Sequence, residues 1–348
     1  MTTSQRIRIL FLGCGGAARM HSRVLRTMPD IELTYASTNP TRAVNLCKRY
    51  GGVGAWGNYN DALNDSMVNV VIVATPTATH QELAIRSLAA GKHVIIEKPA
   101  FMRASDADAV REAATRAGRH VFVAENYIYK PVAALLRSVI GDGALGEVRF
   151  VSLNATRWQP ANGWRAQPAL SGGGALFEAG VHWIGFAARI GLHAVSAQGW
   201  QVGASTGADK SSLVVIRYDN GAVATLAHSW ELRGTLRGAR LSKVQGTHGS
   251  CTFESNGFAS ITTGRRAAVQ SHFRDVLGYR AMHADFLRVL RGQGEVLYTF
   301  DMAQRDLELL AMAQDGLTAN IAHSPMTTPS LAMVPKNVPE NVRTTMRQ

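Results

Sequence analysis

Ile7-Arg8-Ile9-Leu10-Phe11-Leu12 runs straight into Gly13-Cys14-Gly15-Gly16-Ala17-Ala18, and this junction decides the fold. The first six residues form a short apolar run of the kind that makes a strand buried on both faces. The next six are a GxGxxG loop with alanine in the third place, and residues 19–28 beyond it carry helical signals. Gly13 permits the tight turn, Gly15 lets the backbone approach a pyrophosphate, and Ala18 is small enough for the helix to pack on the strand. The helix start at Gly16 and Ala17 then offers amide donors and the positive end of a dipole to phosphates. Strand, glycine loop and helix together predict a dinucleotide site.

Working outward, the spacing predicts a strand over 31–37, a helix over 41–50 and a buried strand over 69–74 that ends at Thr75-Pro76. A helix over 80–90 follows, then the strand 94–96, which ends in Glu97-Lys98-Pro99. A helix over 105–117 closed by Gly118 and a strand over 120–124 complete the series. Strands alternating with helices imply βαβ units, so residues 1–125 are expected to form an α/β Rossmann domain on a parallel sheet. Ligands of such sheets sit outside the carboxyl ends of the strands, which presents Lys98 to whatever binds there. In NAD-binding domains an acid about 20 residues beyond the glycines accepts hydrogen bonds from the ribose 2′-hydroxyl. Ser37 occupies that place here, with Thr38 beside it and Arg42 within one helical turn. Hydroxyls and a guanidinium fork suit a 2′-phosphate, so NADP(H) is expected in preference to NAD(H), the alternative being that Asn39 replaces the acid and accepts NAD.

Residues 126–321 read differently. A helix over 129–139 precedes strands over 148–156, 196–202, 212–218, 222–229, 239–245 and 250–254, with a helix over 172–190 among them. Asn220-Gly221 marks a hairpin, and helices over 281–291 and 301–319 close the series. The expectation is an α+β domain with a mostly antiparallel open sheet, followed by an extended tail over 322–348 that is rich in Pro, Thr and Asn. Gly172-Gly173-Gly174 opens the helix that carries Glu178 and His182, and three glycines there would let a ligand approach the backbone. Glu178 and His182 are four residues apart and share one face of a regular helix. A carboxylate one turn from an imidazole can orient it and raise its basicity, which suits a general base near neutral pH. Arg233, Arg237 and Arg240 lie between two predicted strands, where they form a solvated loop or hold an acidic group of the substrate.

The 348 residues allow two domains with a core each. Three scattered cysteines, Cys14, Cys47 and Cys251, give neither a disulfide framework nor metal spacing, so no metal is expected. The formal charge of +12 comes from 30 arginines and 7 lysines dispersed along the chain, which does not make a nucleic-acid surface. No apolar run approaches the roughly 20 residues of a membrane span. The first strand begins at Ile7 with no signal-peptide pattern before it, so a cytoplasmic protein is expected.

These stretches together resemble the glucose–fructose oxidoreductase/inositol dehydrogenase/rhizopine-catabolism (Gfo/Idh/MocA) family. The matching pieces are Gly13–Ala18, Val73-Ala74-Thr75-Pro76 with His80, Gly91-Lys92-His93 running into Glu97-Lys98-Pro99, Ala124-Glu125-Asn126-Tyr127, and Gly172–His182. The resemblance implies an NAD(P)-dependent oxidoreductase acting on a sugar, polyol or related cyclic substrate, and a homodimer or homotetramer. It places Thr75, Pro76, His80, Glu97 and Lys98 at the cofactor, makes His182 the proton acceptor and donor, and puts Lys98 beside the reacting hydroxyl. Glu178 falls where most members carry aspartate. Trp164, Arg165, Asn126 and Tyr127 are implied as substrate contacts. Two other outcomes follow from the same resemblance: a non-catalytic binding or regulatory protein, and a redox-cycling glycosidase or lyase with tightly held NAD.

Overall fold

The computed structural model describes residues 6–203, 207–233, 239–265 and 267–319. Six strands make the first sheet: β1 (Ile7–Leu12), β2 (Ile31–Ala36), β3 (Gly54–Trp56), β4 (Val70–Val73), β5 (His93–Ile96) and β6 (Val121–Val123). Their order is β3-β2-β1-β4-β5-β6 and every neighbouring pair is parallel. All four residues of β4 are buried, as its unbroken Val-Val-Ile-Val run requires of a central parallel strand. Each fully buried Val or Ile contributes about 1.5–3 kcal/mol, so the strand ends that carry the site rest on a firm base. The strand order reverses direction between β1 and β4, and there a crevice opens outside the strand ends.

Five helices connect these strands: α1 (Gly16–Leu25), α2 (Pro40–Tyr50), α3 (Tyr59–Leu63), α4 (His80–Ala89) and α5 (Asp106–Ala117). Proline opens α2 at a position that needs no N–H donor, and Gly51 closes it with φ +69°. The sequence reading lacked β3 and α3. A three-residue strand at the sheet edge is too short to show a period, and its pairing to β2 supplies what its composition does not.

The second sheet holds eight strands: β7 (Val148–Thr156), β8 (Ala194–Gln201), β9 (Ser211–Tyr218), β10 (Val223–Ser229), β11 (Leu241–Gly246), β12 (Ser250–Glu254), β13 (Ala259–Thr263) and β14 (Ala268–Ser271). Their order is β14-β13-β12-β11-β7-β10-β9-β8. Pairing is antiparallel throughout except between β7 and β10, which run parallel. Asn220-Gly221 turns the hairpin between β9 and β10, with Gly221 at φ +82°. Strands β13 and β14 were absent from the sequence reading. Polar and small residues dominate both, and they hold by extending an existing edge.

Five more helices complete the chain: α6 (Pro131–Gly141), α7 (Pro168–Ser171), α8 (Val181–Ala188), α9 (Tyr279–Leu290) and α10 (Phe300–Ala319). Helix α6 starts later than expected. Residues Asn126–Tyr129 form a 3₁₀ turn, and Pro131 then sits at the first helical position. The helix expected over 172–190 is also broken up, with a π-helical segment at Leu176–Gly180 leading into α8. Helix α10 lies along β8, where a side chain at Gly199 would strike the Ala313 carbonyl. Along β7, Val151, Leu153 and Ala155 are buried while Phe150 on the opposite face is exposed. Helix α9 packs on α1 and so returns the chain to the first sheet. The tail expected over 322–348 lies outside the described residues. Among the described residues no helix is long and apolar enough to cross a membrane.

Candidate active site

A cleft of about 690 Å³ opens at the carboxyl ends of β1, β4 and β5, with the second part of the chain closing its far side. Gly13, Gly15, Gly16 and Ala17 form one wall. Gly13 has φ +97°, and a Cβ there would stand 2.6 Å from the Ala74 carbonyl oxygen of the neighbouring strand end. Glycine is therefore required at that turn. At Gly15 a Cβ would meet nothing within 4 Å, because the backbone faces the open cleft. This bare backbone just before the first amides of the ten-residue α1 is a cradle for phosphate groups. Ser37, Thr38 and Arg42 reach the same cleft from the end of β2, and Thr75 and Pro76 from the end of β4. Arg19 and Arg23 on α1 add two cations that the sequence reading did not select.

Glu97 and Lys98 leave the end of β5 in opposite roles. The Glu97 carboxylate is buried, 2.6 Å from His21 Nε2 on α1, and its other oxygen accepts the Lys98 backbone N–H at 3.0 Å. Burial alone would raise its pKa, but the hydrogen bond and charge of His21 outweigh that and hold it low. The second nitrogen of His21 stands 2.8 Å from His283 Nε2 on α9, so a buried chain of three groups ties the two halves together beneath the cleft. Lys98 points the other way. Its Nζ donates to the Glu178 carbonyl oxygen at 2.9 Å and lies 3.9 Å from the Glu178 carboxylate.

Glu178 and His182 do not pair with each other. The wider π turn at Leu176–Gly180 breaks the regular register that the four-residue spacing assumes. The Glu178 carboxylate instead accepts from Arg165 Nε at 2.7 Å. Burial works to raise the Glu178 pKa, yet the Lys98 and Arg165 charges bring it down to about 2. His182 takes its partner from elsewhere. Its Nδ1 lies 2.6 Å from a carboxylate oxygen of Glu125, which leaves β6 just as Lys98 leaves β5. Burial pushes the Glu125 carboxyl up to about 8, against the opposing Tyr127 N–H and Lys98 charge. Burial and the Lys98 charge together hold the His182 imidazole well below its ordinary value. Sequence reasoning missed Glu125 as a partner. Its place at a carboxyl strand end, level with Lys98, was the available signal.

Trp164 and Arg165 line the cleft, with the Arg165 guanidinium 4.6 Å from the Trp164 ring centre. Tyr127 stacks on His182 at 4.4 Å and reaches the cleft only behind that ring. Ala18, His80 and Asn126 are not brought to the cleft. Ala18 is wholly buried on the inner face of α1. The buried His80 ring places Nε2 2.9 Å from the Thr75 carbonyl and Nδ1 3.0 Å from that of Pro99, bracing two cleft loops from behind. Asn126 donates to the Leu277 carbonyl at 2.6 Å. The glycines at 172–174 also serve the chain itself. A Cβ at Gly172 would strike the Phe177 ring and one at Gly174 would strike Asp209, so close packing explains them without a ligand. Of the three loop arginines, Arg233 stands 4.9 Å from the Trp158 ring centre, Arg240 is buried, and Arg237 lies outside the described residues.

Comparison with known proteins matches residues 7–125 to an oxidoreductase family with an NAD-binding Rossmann fold, GFO_IDH_MocA. Residues 133–252 match the GFO/IDH/MocA C-terminal domain. Levoglucosan dehydrogenase from Pseudarthrobacter phenanthrenivorans is 29% identical over 199 residues, which are 53% of this chain and 50% of that protein. D-glucoside 3-dehydrogenase from Escherichia coli is 28% identical over 186 residues, 52% of this chain and 53% of that protein. The chain thus spans about half the length of these relatives. A solved structure of levoglucosan dehydrogenase with NADH and L-sorbose superposes with a TM-score of 0.82 at 20% identity, covering 91% of this chain and 98% of that one. That likeness concerns the fold.

Proposed function

Because the chain belongs to the Gfo/Idh/MocA oxidoreductase family, we propose that it is an NAD(P)-dependent dehydrogenase or reductase working on a carbinol or ketone carbon of a sugar, polyol or related cyclic compound. One observation carries the reading: Lys98 and the His182–Glu125 pair converge at adjacent strand ends beside the glycine cradle. Residues up to 125 bind the cofactor in this reading, and residues 126–321 bind substrate and build the oligomer. A bound nicotinamide supplies the acceptance and return of hydride. The rest belongs to the chain. His182 Nε2 takes the hydroxyl proton while Nδ1–H donates to Glu125, and Lys98 stabilises the negative charge that develops on the oxygen. Glu178 holds Lys98 in place, and Arg165 pairs with the same Glu178 carboxylate. A panel of sugars, inositols and their keto forms, followed at the nicotinamide absorbance, tests this. No turnover with any of them in either direction would sink the dehydrogenase, and product without net cofactor redox change would favour a cycling lyase or glycosidase.

The cofactor is NADP(H) in this reading. Ser37, Thr38 and Arg42 meet at the adenosine end of the cleft, Arg19 and Arg23 add positive charge, and no carboxylate stands at the end of β2 to repel a 2′-phosphate. The kcat/KM for NADP(H) is expected to exceed that for NAD(H) by tenfold or more, about 1.4 kcal/mol. Arg42→Ala should lose most of that margin. A tenfold preference for NAD(H), or unchanged NADP(H) affinity in Arg42→Ala, would overturn the assignment.

The open face of the second sheet supports a homodimer or homotetramer. Phe150, Leu213, Leu241, Ile261 and Val269 are exposed across five of its strands, a spread of apolar surface that a monomer rarely leaves wet. Sedimentation equilibrium should return a multiple of the 37.5 kDa chain mass. Phe150→Glu should drive it toward the monomer, and a monomeric wild type would refute the oligomer.

A further inference from the structure

A second, smaller recess lies behind His182, on the face of the second sheet turned toward α8 and α10. Strands β7 and β10 run parallel there, with Ala155 beside His228 in register. The methyl of Ala155 leaves space that a larger residue would fill, and Arg157 follows two residues on along the same face. Tyr127, Arg157, His182, His228 and Arg240 surround the recess, which holds about 10 Å³, the room of one oxygen-sized group. His182 borders both this recess and the main cleft and stands between them.

Its polar groups are left unspent. His228 is 3% exposed and its Nδ1 has no hydrogen-bond partner among the described residues. Arg240 donates from Nη1 to the Thr156 carbonyl at 3.0 Å and from Nη2 to Asn256 Oδ1 at 2.7 Å, but its buried Nε–H has no acceptor among the described residues. The exposed Arg157 guanidinium makes no hydrogen bond or ion pair among the described residues. The acids nearby are committed elsewhere. Glu254 accepts from the Asn256 side chain at 2.8 Å and its backbone at 2.9 Å, and Glu178 is held by Arg165. Lys130, 4.1 Å from the far face of the Tyr127 ring, adds a further buried cation. Buried polar groups are normally partnered. Two without partners, in a recess of one charge sign, point to a ligand that brings the opposite charge.

We infer that this recess is a carboxylate subsite formed by Arg157, His228 and Arg240, so that the substrate is a sugar acid rather than a neutral sugar. The inference rests on the oxidoreductase reading for the reaction but not for the binding. One carboxylate oxygen fills the recess against His228 and Arg240 Nε, and the other meets the Arg157 fork at the mouth. A phosphoryl group would leave two oxygens at the mouth for the single Arg157 fork, where a carboxylate leaves one.

The test compares matched pairs, D-glucuronate with D-glucose and D-galacturonate with D-galactose, with D-glucose 6-phosphate as the phosphoryl arm. The wild type is expected to favour the acid by tenfold or more in kcat/KM. Arg157→Gln, which breaks no side-chain bond among the described residues, should cut that ratio by tenfold or more, and His228→Gln should also cut it. Equal use of acid and neutral sugar, a ratio unmoved in both variants, or a preference for glucose 6-phosphate over glucuronate would each overturn the subsite. Calorimetric titration of the cofactor-loaded protein with glucuronate separates the two readings. Arg157-dependent binding without turnover would sink the dehydrogenase and keep the subsite. Turnover of neutral sugars without acid preference would do the reverse.

Discussion

Replacing His182 with alanine should lower kcat by a hundredfold or more while the affinity for the nicotinamide dinucleotide changes little. Among the described residues the imidazole is the one basic ring that lines the cleft with Lys98, and Glu125 fixes it from behind at 2.6 Å. Loss of a positioned acid or base typically costs on the order of 10²–10⁴ in rate. The glycine cradle and the Ser37–Arg42 corner lie on other elements, so cofactor titration by fluorescence should be nearly unmoved. Near-normal turnover of His182→Ala across the pH range would remove the proposed proton role.

The same pair gives the reaction a pH dependence whose sign follows from where its protons sit. Burial pushes Glu125 up to about 8. Below that the pair holds a proton on Glu125 that is donated to Nδ1, which leaves Nε2 protonated and able to donate. Above it, the carboxylate accepts from Nδ1–H and Nε2 becomes an acceptor. Oxidation needs the acceptor, so its kcat/KM should rise through a limb near pH 8, and reduction should fall through the same limb. Glu125→Gln cannot make this exchange and should flatten both limbs.

The legible part of this chain is the part written in local pattern. The β1–glycine–α1 junction, the apolar runs of β4 and β5 and the Asn220-Gly221 hairpin each state their conformation within a dozen residues. Lys98 was legible for the same reason, since a strand end in a parallel sheet is a place with known geometry. The partners were not. Glu125 and His182 are 57 residues apart, and His21 and His283 are 262 apart, so only the docking of the two halves reveals either contact. Glu178 shows the opposite error. Its spacing to His182 was read correctly on a regular helix, but a π turn occupies that stretch and the carboxylate turns to Arg165. The glycines at 172–174 looked like room for a ligand, whereas Phe177 and Asp209 already use that room.

Lys98→Met should be the second severe variant, and for two separable reasons. The first is catalytic. Lys98 Nζ, tethered 2.9 Å from the Glu178 carbonyl, is placed to meet charge that develops on the substrate oxygen, and removal of such a group costs about 10²–10³ in kcat. The second is electrostatic. The Glu178 carboxylate side chain is 5% exposed, and burial would raise its pKa were it not for the Lys98 and Arg165 charges, which hold it at about 2 against an ordinary 4.5. A carboxylate depressed in the folded state stabilises the protein above the unfolded pKa, and that contribution is lost as pH falls toward the folded one. In the wild type the loss spans about 4.5 down to about 2. With Met at position 98 the Lys98 charge is gone and Arg165 remains with the smaller contribution of His182, so the depression shrinks and acid unfolding should begin at a higher pH. Circular dichroism against pH reads this directly, independently of turnover. An acid midpoint that does not move would show that Arg165 alone holds Glu178, and a kcat within a few fold of wild type would show that Lys98 serves the fold rather than the chemistry. Loss of both together is expected, because in the proposed mechanism a single Nζ both restrains the carboxylate and meets the reacting oxygen.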